Sequence, residues 1–214
     1  MRAIGILGGT FDPVHCGHVR LAIEVLEQAG LDEVRLMPAG APRLRDPPRA
    51  SGAERRAWLE AAVGGIAGLV VDPRELDGSG PTRTVETLES LRAEHPDDAI
   101  ALVLGMDAFA RLDEWHRHEA LLELAHLVVA RRPGADGPER PAVRALAAAH
   151  AITDARLLRA QPSGTIYLVE APLLDISATD VRARIAAGRS IHCLVPDPVR
   201  RLIERSDVYK HGIR

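Results

Sequence analysis

Short apolar runs alternate along the chain with segments whose apolar residues recur at helical spacing. The first run, Ala3–Leu7, is uncharged and leads into two glycines, which is typical of a strand buried on both faces. The next segment, His18–Ala29, has helical periodicity and ends at Gly30, a favoured residue after a helix C-terminus. A strand followed by a helix is half of a βαβ unit. The repeated rhythm therefore predicts an α/β protein with a doubly wound, mostly parallel sheet.

The same pattern locates the remaining elements. Further strands are predicted at Val34–Met37, Leu69–Val71, Ile100–Leu104, Leu127–Ala130 and Ile166–Val169. Further helices are predicted at Ala53–Val63, Val85–Ala93, Glu119–Leu124, Ala142–His150 and Ala178–Ala187. No repeat or composition shift divides the chain, so a single domain over residues 1–214 is expected. In such a sheet ligands bind beyond the carboxyl ends of the strands, which directs attention to the loops that follow strands.

Composition excludes several classes of partner. Asp and Glu number 30 and Lys and Arg 27, a net charge of −3 that gives no global positive field for nucleic acid. The longest apolar run, Ala99–Gly105, is far shorter than the roughly 18 residues of a membrane span. Two cysteines and no secretory signal pattern favour a reducing compartment. We therefore expect a cytoplasmic protein that binds neither nucleic acid nor membrane.

The loop after the first strand has the sequence GGTFDPVHCGH and opens the first helix. Gly8 and Gly9 remove side chains that would keep a ligand from the backbone, and a helix N-terminus attracts anions. His15 and His18 project from one face if the helix begins near Val14. Imidazole donates to phosphate oxygens and titrates near neutral pH. The loop therefore predicts a phosphate site.

Alternatives for this loop are weaker. A glycine-rich turn with two exposed histidines explains the pattern without a ligand. A metal site is disfavoured because residues 15 and 16 point apart on a helix and no second ligand pair has zinc spacing. A P-loop is excluded because no Lys-Ser/Thr follows the glycines, and Lys210 is the chain's only lysine. Glycines at 5, 8 and 9 do not have the dinucleotide spacing, which argues against an NAD-using oxidoreductase.

Four later places in the chain also carry candidate ligand groups. Ser177, Thr179 and Arg182 at a helix N-terminus predict a second anion site facing the first, although Ser177 with Asp180 as a capping box alone explains part of the pattern. Asp107 follows a buried strand, where a carboxylate either accepts ribose hydroxyls or caps the next helix. Trp115 is either a packed, half-buried ring or a residue that contacts the ligand. The pair Arg131–Arg132 is either solvated or, at the ligand edge of the sheet, in contact with phosphate.

The first loop resembles the signature of the nucleotidyltransferase superfamily, whose His-x-Gly-His motif binds a nucleoside triphosphate. From end to end the chain resembles the bacterial nicotinate mononucleotide adenylyltransferases. The further matching pieces are Gly105-Met106-Asp107, Trp115, residues 126–134, Ile176-Ser177-Ala178-Thr179 with Arg182, and LVPDPV at 194–199. The resemblance implies a Rossmann-like nucleotidyltransferase fold. It also implies transfer of the adenylyl group of ATP to nicotinate mononucleotide, giving nicotinate adenine dinucleotide and pyrophosphate in NAD biosynthesis.

The resemblance assigns expected roles to individual residues. The expected catalytic donors are His15, His18, Thr10 and Arg182. The expected ATP-binding residues are Gly8, Gly9, Thr10, His18, Asp107, Ser177, Thr179 and Arg182. The expected acceptor-binding residues are Phe11, Arg45, Thr84, Arg132 and Trp115, the last stacking on the pyridine ring. Mg²⁺ is expected through the ATP phosphates, with no dedicated protein ligands.

Two positions depart from the family pattern. Relatives carry Pro-Pro-His-Lys/Arg where this chain has Pro42-Arg43-Leu44-Arg45, and an aromatic residue where it has Arg83. Leucine cannot donate to phosphate, so neighbouring arginines would have to supply charge. Two alternative functions stay open: an adenylyl- or cytidylyltransferase with another phosphate acceptor, and a non-catalytic nucleotide-binding module. The sequence does not fix the oligomeric state or the choice between nicotinate and nicotinamide.

Overall fold

The computed structural model describes residues 1–40, 47–77, 83–131, 137–172 and 174–210. Its strands are β1 (Ala3–Gly9), β2 (Glu33–Pro38), β3 (Leu69–Val71), β4 (Ala99–Gly105), β5 (His126–Arg131), β6 (Ala151–Ile152) and β7 (Ile166–Glu170). Its α-helices are α1 (Cys16–Gln28), α2 (Gly52–Val63), α3 (Thr84–Glu94), α4 (Met106–Phe109), α5 (Leu121–Leu124), α6 (Pro141–His150), α7 (Ala178–Ala186) and α8 (Asp197–Glu204). Short 3₁₀ helices cover Leu112–Glu114, His118–Ala120 and Ala155–Arg159.

The strands form one seven-stranded sheet in the order β3-β2-β1-β4-β5-β7-β6. β4 pairs in parallel with β1 and β5, and β7 pairs in parallel with β5 and β6. Residues 99–104 of β4 and 126–130 of β5 are all buried, as expected for central strands covered on both faces. The predicted doubly wound α/β fold with a mostly parallel sheet is confirmed.

The structure divides into two compact units, each built from three stretches of chain. The first unit comprises Met1–Leu7, Ile23–Arg35 and Arg83–Pro172, and the second comprises Gly8–Ala22, Leu36–Thr82 and Leu173–Arg214. In the second unit α2 packs against α8. The single domain expected over residues 1–214 stays a prediction.

Several predicted boundaries were wrong. The first helix begins at Cys16, two residues before the predicted start. The helix predicted at Glu119–Leu124 is a 3₁₀ turn at 118–120 followed by the short α5. β6, α4 and α8 were not predicted.

Among the described residues, no helix has the length and apolar character needed to cross a membrane.

Candidate functional site

The two histidines of the first loop lie against each other in the second unit. His15 immediately precedes α1, and His18 lies in its first turn. Their rings are stacked, with centroids 3.6 Å apart and planes 26° apart. The His15 backbone N–H donates to Nδ1 of His18 over 3.2 Å. Because Nδ1 accepts this bond, the neutral His18 ring carries its proton on Nε2.

His15 is buried, and burial changes its chemistry. Its residue is 7% exposed, and desolvation lowers the pKa of its imidazole to about 4. The expectation that both rings titrate near neutral pH is therefore wrong for His15, which is neutral at pH 7. Its Nδ1 is buried with no hydrogen-bond partner among the described residues. A Cβ on Gly17 would lie 3.0 Å from this atom, so glycine leaves the ring its room.

The loop glycines have different surroundings. A Cβ on Gly8 would meet no atom of the described residues within 4 Å apart from its chain neighbours, which leaves room for a ligand beside the backbone there. A Cβ on Gly9 would come within 3.0 Å of the Phe11 ring. Phe11 is 2% exposed, has a positive φ of 49° and meets the His18 ring edge-on at 4.9 Å. The Phe11 side chain thus packs beneath the loop, and its role in acceptor binding stays a prediction.

The second predicted anion loop meets the first within the same unit. Ser177 is the N-cap of α7, and its side chain accepts from the Asp180 N–H over 3.1 Å, which confirms the Ser177 half of the predicted capping box. Arg182 donates from Nη1 to the Asp12 carbonyl at 2.7 Å and from Nη2 to the Thr179 hydroxyl at 3.2 Å. The structure thereby brings Arg182 to the main chain three residues before His15.

A buried carboxylate that the sequence analysis missed holds this arrangement. Asp12 is 5% exposed. Its Oδ2 accepts from the Arg49 N–H at 3.0 Å, and its Oδ1 accepts from the Ala50 N–H at 3.0 Å and the Tyr209 hydroxyl at 2.5 Å. Nη1 of Arg182 lies 3.9 Å from Oδ2. Asp12 therefore joins the first loop, the segment that precedes α2, the helix α7 and the C-terminal segment.

Arg55 of α2 is a second missed residue. It is 2% exposed, and its Nη1 donates to the carbonyls of Thr10 at 2.9 Å and Ala39 at 2.7 Å. These carbonyls lie just after β1 and β2. Burial lowers the pKa of Arg55. In the sequence, Arg55 is a charged residue on the apolar face of the predicted helix Ala53–Val63, and this position could have indicated a buried arginine.

Three further candidate residues, Asp107, Trp115 and Thr84, belong to the first unit. Asp107 is exposed in α4, directly after β4, and does not cap that helix, since the N-cap is Gly105. The interpretation of Asp107 as a cap is therefore wrong. Trp115 is half-buried, and so is Thr84 at the start of α3. Arg45, Leu44 and Arg132 lie outside the described residues.

Arginines expected to provide charge are engaged in ion pairs. Arg83 donates from Nη1 to Glu86 at 3.1 Å, and Arg131 donates to Glu170 at 2.7 Å. The alternative that Arg131 and Arg132 are a solvated pair of arginines agrees with the partial exposure of Arg131, but this guanidinium forms an ion pair with Glu170. Among the described residues, no cluster of three or more His, Cys, Asp or Glu could hold a metal ion.

Comparisons with known proteins agree along nearly the whole chain. Residues 6–184 match the family model described as cytidylyltransferase-like. A Pseudomonas aeruginosa protein named "Probable nicotinate-nucleotide adenylyltransferase" is 47% identical over 210 residues, covering 98% of each chain. A Pseudomonas paraeruginosa protein of the same name is 48% identical over 210 residues with the same coverage. The Plasmodium falciparum nicotinic acid mononucleotide adenylyltransferase complexed with NaAD shares the fold, with a TM-score of 0.71, 18% identity and full coverage of both chains.

Proposed function

This chain belongs to the nicotinate-nucleotide adenylyltransferases of the cytidylyltransferase-like family, and from that membership we propose how its residues perform the reaction. It is an enzyme that transfers the adenylyl group of ATP to nicotinate mononucleotide, forming nicotinate adenine dinucleotide and pyrophosphate. The observation that supports the residue assignments is the stacked His15–His18 pair. It lies on the same short main-chain segment that binds Arg182.

The attacking group needs no protein base. A phosphomonoester has a second pKa of about 6, so the mononucleotide phosphate is mostly dianionic at neutral pH. This oxygen attacks the α-phosphorus of ATP, and the bond to the bridging oxygen of pyrophosphate breaks. The protein's tasks are then to align two anionic substrates and to stabilise charge that develops on the α-phosphate. A site built from imidazoles, backbone amides and a guanidinium suits those tasks.

The second unit supplies the donors. We assign His18 as a neutral donor through Nε2–H, with His15, Thr10 and Arg182 acting beside it. Arg182 commits one N–H to Asp12 and one to Thr179, and a guanidinium has five, so others stay available for phosphate. A neutral imidazole can donate a hydrogen bond to phosphate. Unlike a charged imidazolium, it does not place a buried charge in the site when no substrate is bound.

Further substrate contacts follow the resemblance to the family. For ATP we assign the backbone at Gly8 and Gly9, the hydroxyls of Ser177 and Thr179, and Asp107 to the ribose. For the acceptor we assign Phe11, Arg45, Thr84, Trp115 and Arg132. ATP and nicotinate mononucleotide are thus the proposed partners of this chain.

Mg²⁺ is proposed to bind through the triphosphate, where it offsets phosphate charge when bound. Asp12, the carboxylate of the first loop, is unsuited to a metal. Both of its oxygens already accept hydrogen bonds from Arg49, Ala50 and Tyr209. This donor pattern fits an ion that depends on ATP oxygens and water. We also propose a cytoplasmic location, which the free thiols of Cys16 and Cys193 support.

The proposal is tested by incubating the purified chain with ATP and nicotinate mononucleotide, and separately with ATP and nicotinamide mononucleotide. We expect pyrophosphate release and a product with the mass of nicotinate adenine dinucleotide. His18→Ala should lower kcat by 10²-fold or more, since losing a donor to developing charge costs roughly 2.7–4 kcal/mol. His192→Ala, which removes an exposed imidazole, should retain the wild-type kcat. A well-folded His18→Ala protein with an unchanged rate would exclude the assigned donor.

A further inference from the structure

The C-terminal segment of the second unit reaches the first loop through one hydroxyl group. Tyr209 lies 197 residues from Asp12 in sequence, yet its hydroxyl donates to Asp12 Oδ1 at 2.5 Å in a buried environment. Tyr209 itself is 1% exposed. Burial, followed by the bond to Asp12, raises the pKa of Tyr209 well above its usual range, so the hydroxyl stays protonated and donates.

Asp12 connects Tyr209 to the groups that are proposed to bind phosphate. Its carbonyl accepts from Arg182 at 2.7 Å, and its chain continues directly to His15. Its carboxylate accepts three hydrogen bonds. Two come from the backbone N–H groups of Arg49 and Ala50, and among the described residues the Tyr209 hydroxyl is the only side-chain donor. Without the hydroxyl, Oδ1 would keep only the Ala50 N–H, and the buried carboxylate would be less well satisfied. The loop would then sample other positions.

We propose that Tyr209 is a positioning residue for the adenylyl-transfer reaction. Its hydroxyl fixes the Asp12 carboxylate, and through Asp12 it sets the position of Arg182 and of the His15 end of the loop for the phosphates of ATP. This inference rests on the proposed function of the first loop and of Arg182. It extends the site to a residue outside both anion loops.

The packing of Tyr209 can be separated from its hydrogen bond. Its ring lies against the indole of Trp58 in α2, with centroids 5.7 Å apart and planes at 50°. Tyr209→Phe removes the bond and keeps this contact. Trp58→Phe reduces the contact and keeps the bond. Tyr167 of β7 is the chain's other tyrosine and is half-buried in the first unit, so Tyr167→Phe is the matched control for loss of a hydroxyl.

The test measures the dissociation constant of ATP by calorimetry without acceptor, and then both KM values. We expect Tyr209→Phe to weaken ATP binding about tenfold and to raise KM for ATP similarly, with KM for nicotinate mononucleotide within twofold of wild type. Tyr167→Phe and Trp58→Phe should bind ATP within twofold of wild type. A purely structural role would lower the folded fraction, and hence the apparent kcat, without moving KM for ATP.

Two results would overturn the proposal: ATP binding by Tyr209→Phe within twofold of wild type, or equal weakening by Trp58→Phe. If the wild type binds ATP but does not adenylylate nicotinate mononucleotide, the acceptor assignment fails, while a Tyr209→Phe effect on ATP binding still supports positioning. If Tyr209→Phe does not fold, hydrogen exchange on the wild type decides. ATP should then slow exchange in the peptide containing Tyr209 together with that of the first loop, and an unchanged Tyr209 peptide would refute the inference.

Discussion

At the residue scale, identical side chains three positions apart have become chemically different. His15 is buried, neutral at pH 7 and has a ring nitrogen without a partner among the described residues. His18 has a fixed tautomer because its Nδ1 accepts the His15 N–H. The stacked rings therefore present neutral groups, and the guanidinium of Arg182 adds a positive charge beside the loop. The sequence predicted the pair but not this division, because burial depends on the fold around it.

Trp115 provides a test of the acceptor assignment. The side chain is half-buried, and its neighbours Asp113 and Glu114 pair with Arg140 at 2.9 and 2.6 Å. If the indole stacks on the pyridine ring, Trp115→Ala should raise KM for nicotinate mononucleotide about tenfold or more, since stacking contributes about 1–3 kcal/mol. KM for ATP should change less than twofold in steady-state assays.

Trp115→Phe is the matched control, because it keeps an aromatic face and should recover most of the affinity for the mononucleotide. A parallel rise of both KM values in Trp115→Ala, or a large fall in its melting temperature, would instead identify a packing residue. Either outcome would remove the indole from the acceptor site.

Residues that organise the site were the ones that sequence patterns could not find. Asp12 lies inside the first-loop motif but was not given a role, because nothing local shows that its oxygens meet amides 37 and 38 residues away. Tyr209 is near the C-terminus, where periodicity carries no information about distant partners. Such contacts depend on tertiary structure, whereas His15, His18, Ser177 and Arg182 stand out locally by spacing and residue type.

At the element scale, the central strands were predicted to within a few residues because their burial is continuous. Ala99–Gly105 and His126–Arg131 are almost wholly buried, so their apolar runs appear directly in the sequence. The helix Asp197–Glu204 was missed because it buries little more than Val199 and Ile203 among charged residues. Ala151–Ile152 was missed because two residues are too few for any pattern.

The glycines of the first loop allow a test of the turn between β1 and α1. Gly8→Ala adds a methyl group that, apart from the chain neighbours, has no atom of the described part of the chain within 4 Å. Its melting temperature should match the wild type, but KM for ATP should rise about fivefold or more because the methyl group occupies space assigned to phosphate. Gly17→Ala adds a methyl group 3.0 Å from Nδ1 and 3.1 Å from Cε1 of His15.

For Gly17→Ala the ring of His15 must move by a few tenths of an ångström, so we expect kcat to fall about tenfold. Thermal denaturation and steady-state kinetics on both variants give the comparison. A Gly8→Ala protein with a wild-type KM for ATP would show that phosphate does not approach that backbone.

At the scale of the whole molecule, each unit buries one histidine among its described residues, and both are in the neutral form. His15 belongs to the second unit and His126, which is fully buried, to the first. Nδ1 of His126 accepts from the Thr165 N–H at 3.2 Å, and its Nε2 lies 2.9 Å from the Gln161 carbonyl, an arrangement that needs a neutral ring with its proton on Nε2. Burial lowers the pKa of both imidazoles. Acid should therefore act on the stability of both units.

The sign of this effect follows from proton binding. An unfolded histidine has a pKa near 6.5, whereas folded His15 has a pKa of about 4, so below pH 6.5 the unfolded chain binds more protons. Stability is unaffected by His15 well above pH 6.5, falls as the pH drops below that value and stops falling near pH 4. The loss from His15 should reach about 2 kcal/mol at pH 5 and about 3 kcal/mol at pH 4.

Urea denaturation of wild type and His15→Gln at pH 7 and pH 5 measures this loss. We expect the free energy of unfolding of the wild type to decline by about 2 kcal/mol more than that of His15→Gln over this interval, because glutamine takes up no proton. His126→Gln should also decline less than the wild type. His192→Gln, which removes an exposed imidazole, should keep the wild-type decline, so that the comparison isolates burial. Equal declines in wild type and His15→Gln would mean that His15 is already solvated in the folded protein, and the neutral imidazole assigned to the phosphate site would then be wrong.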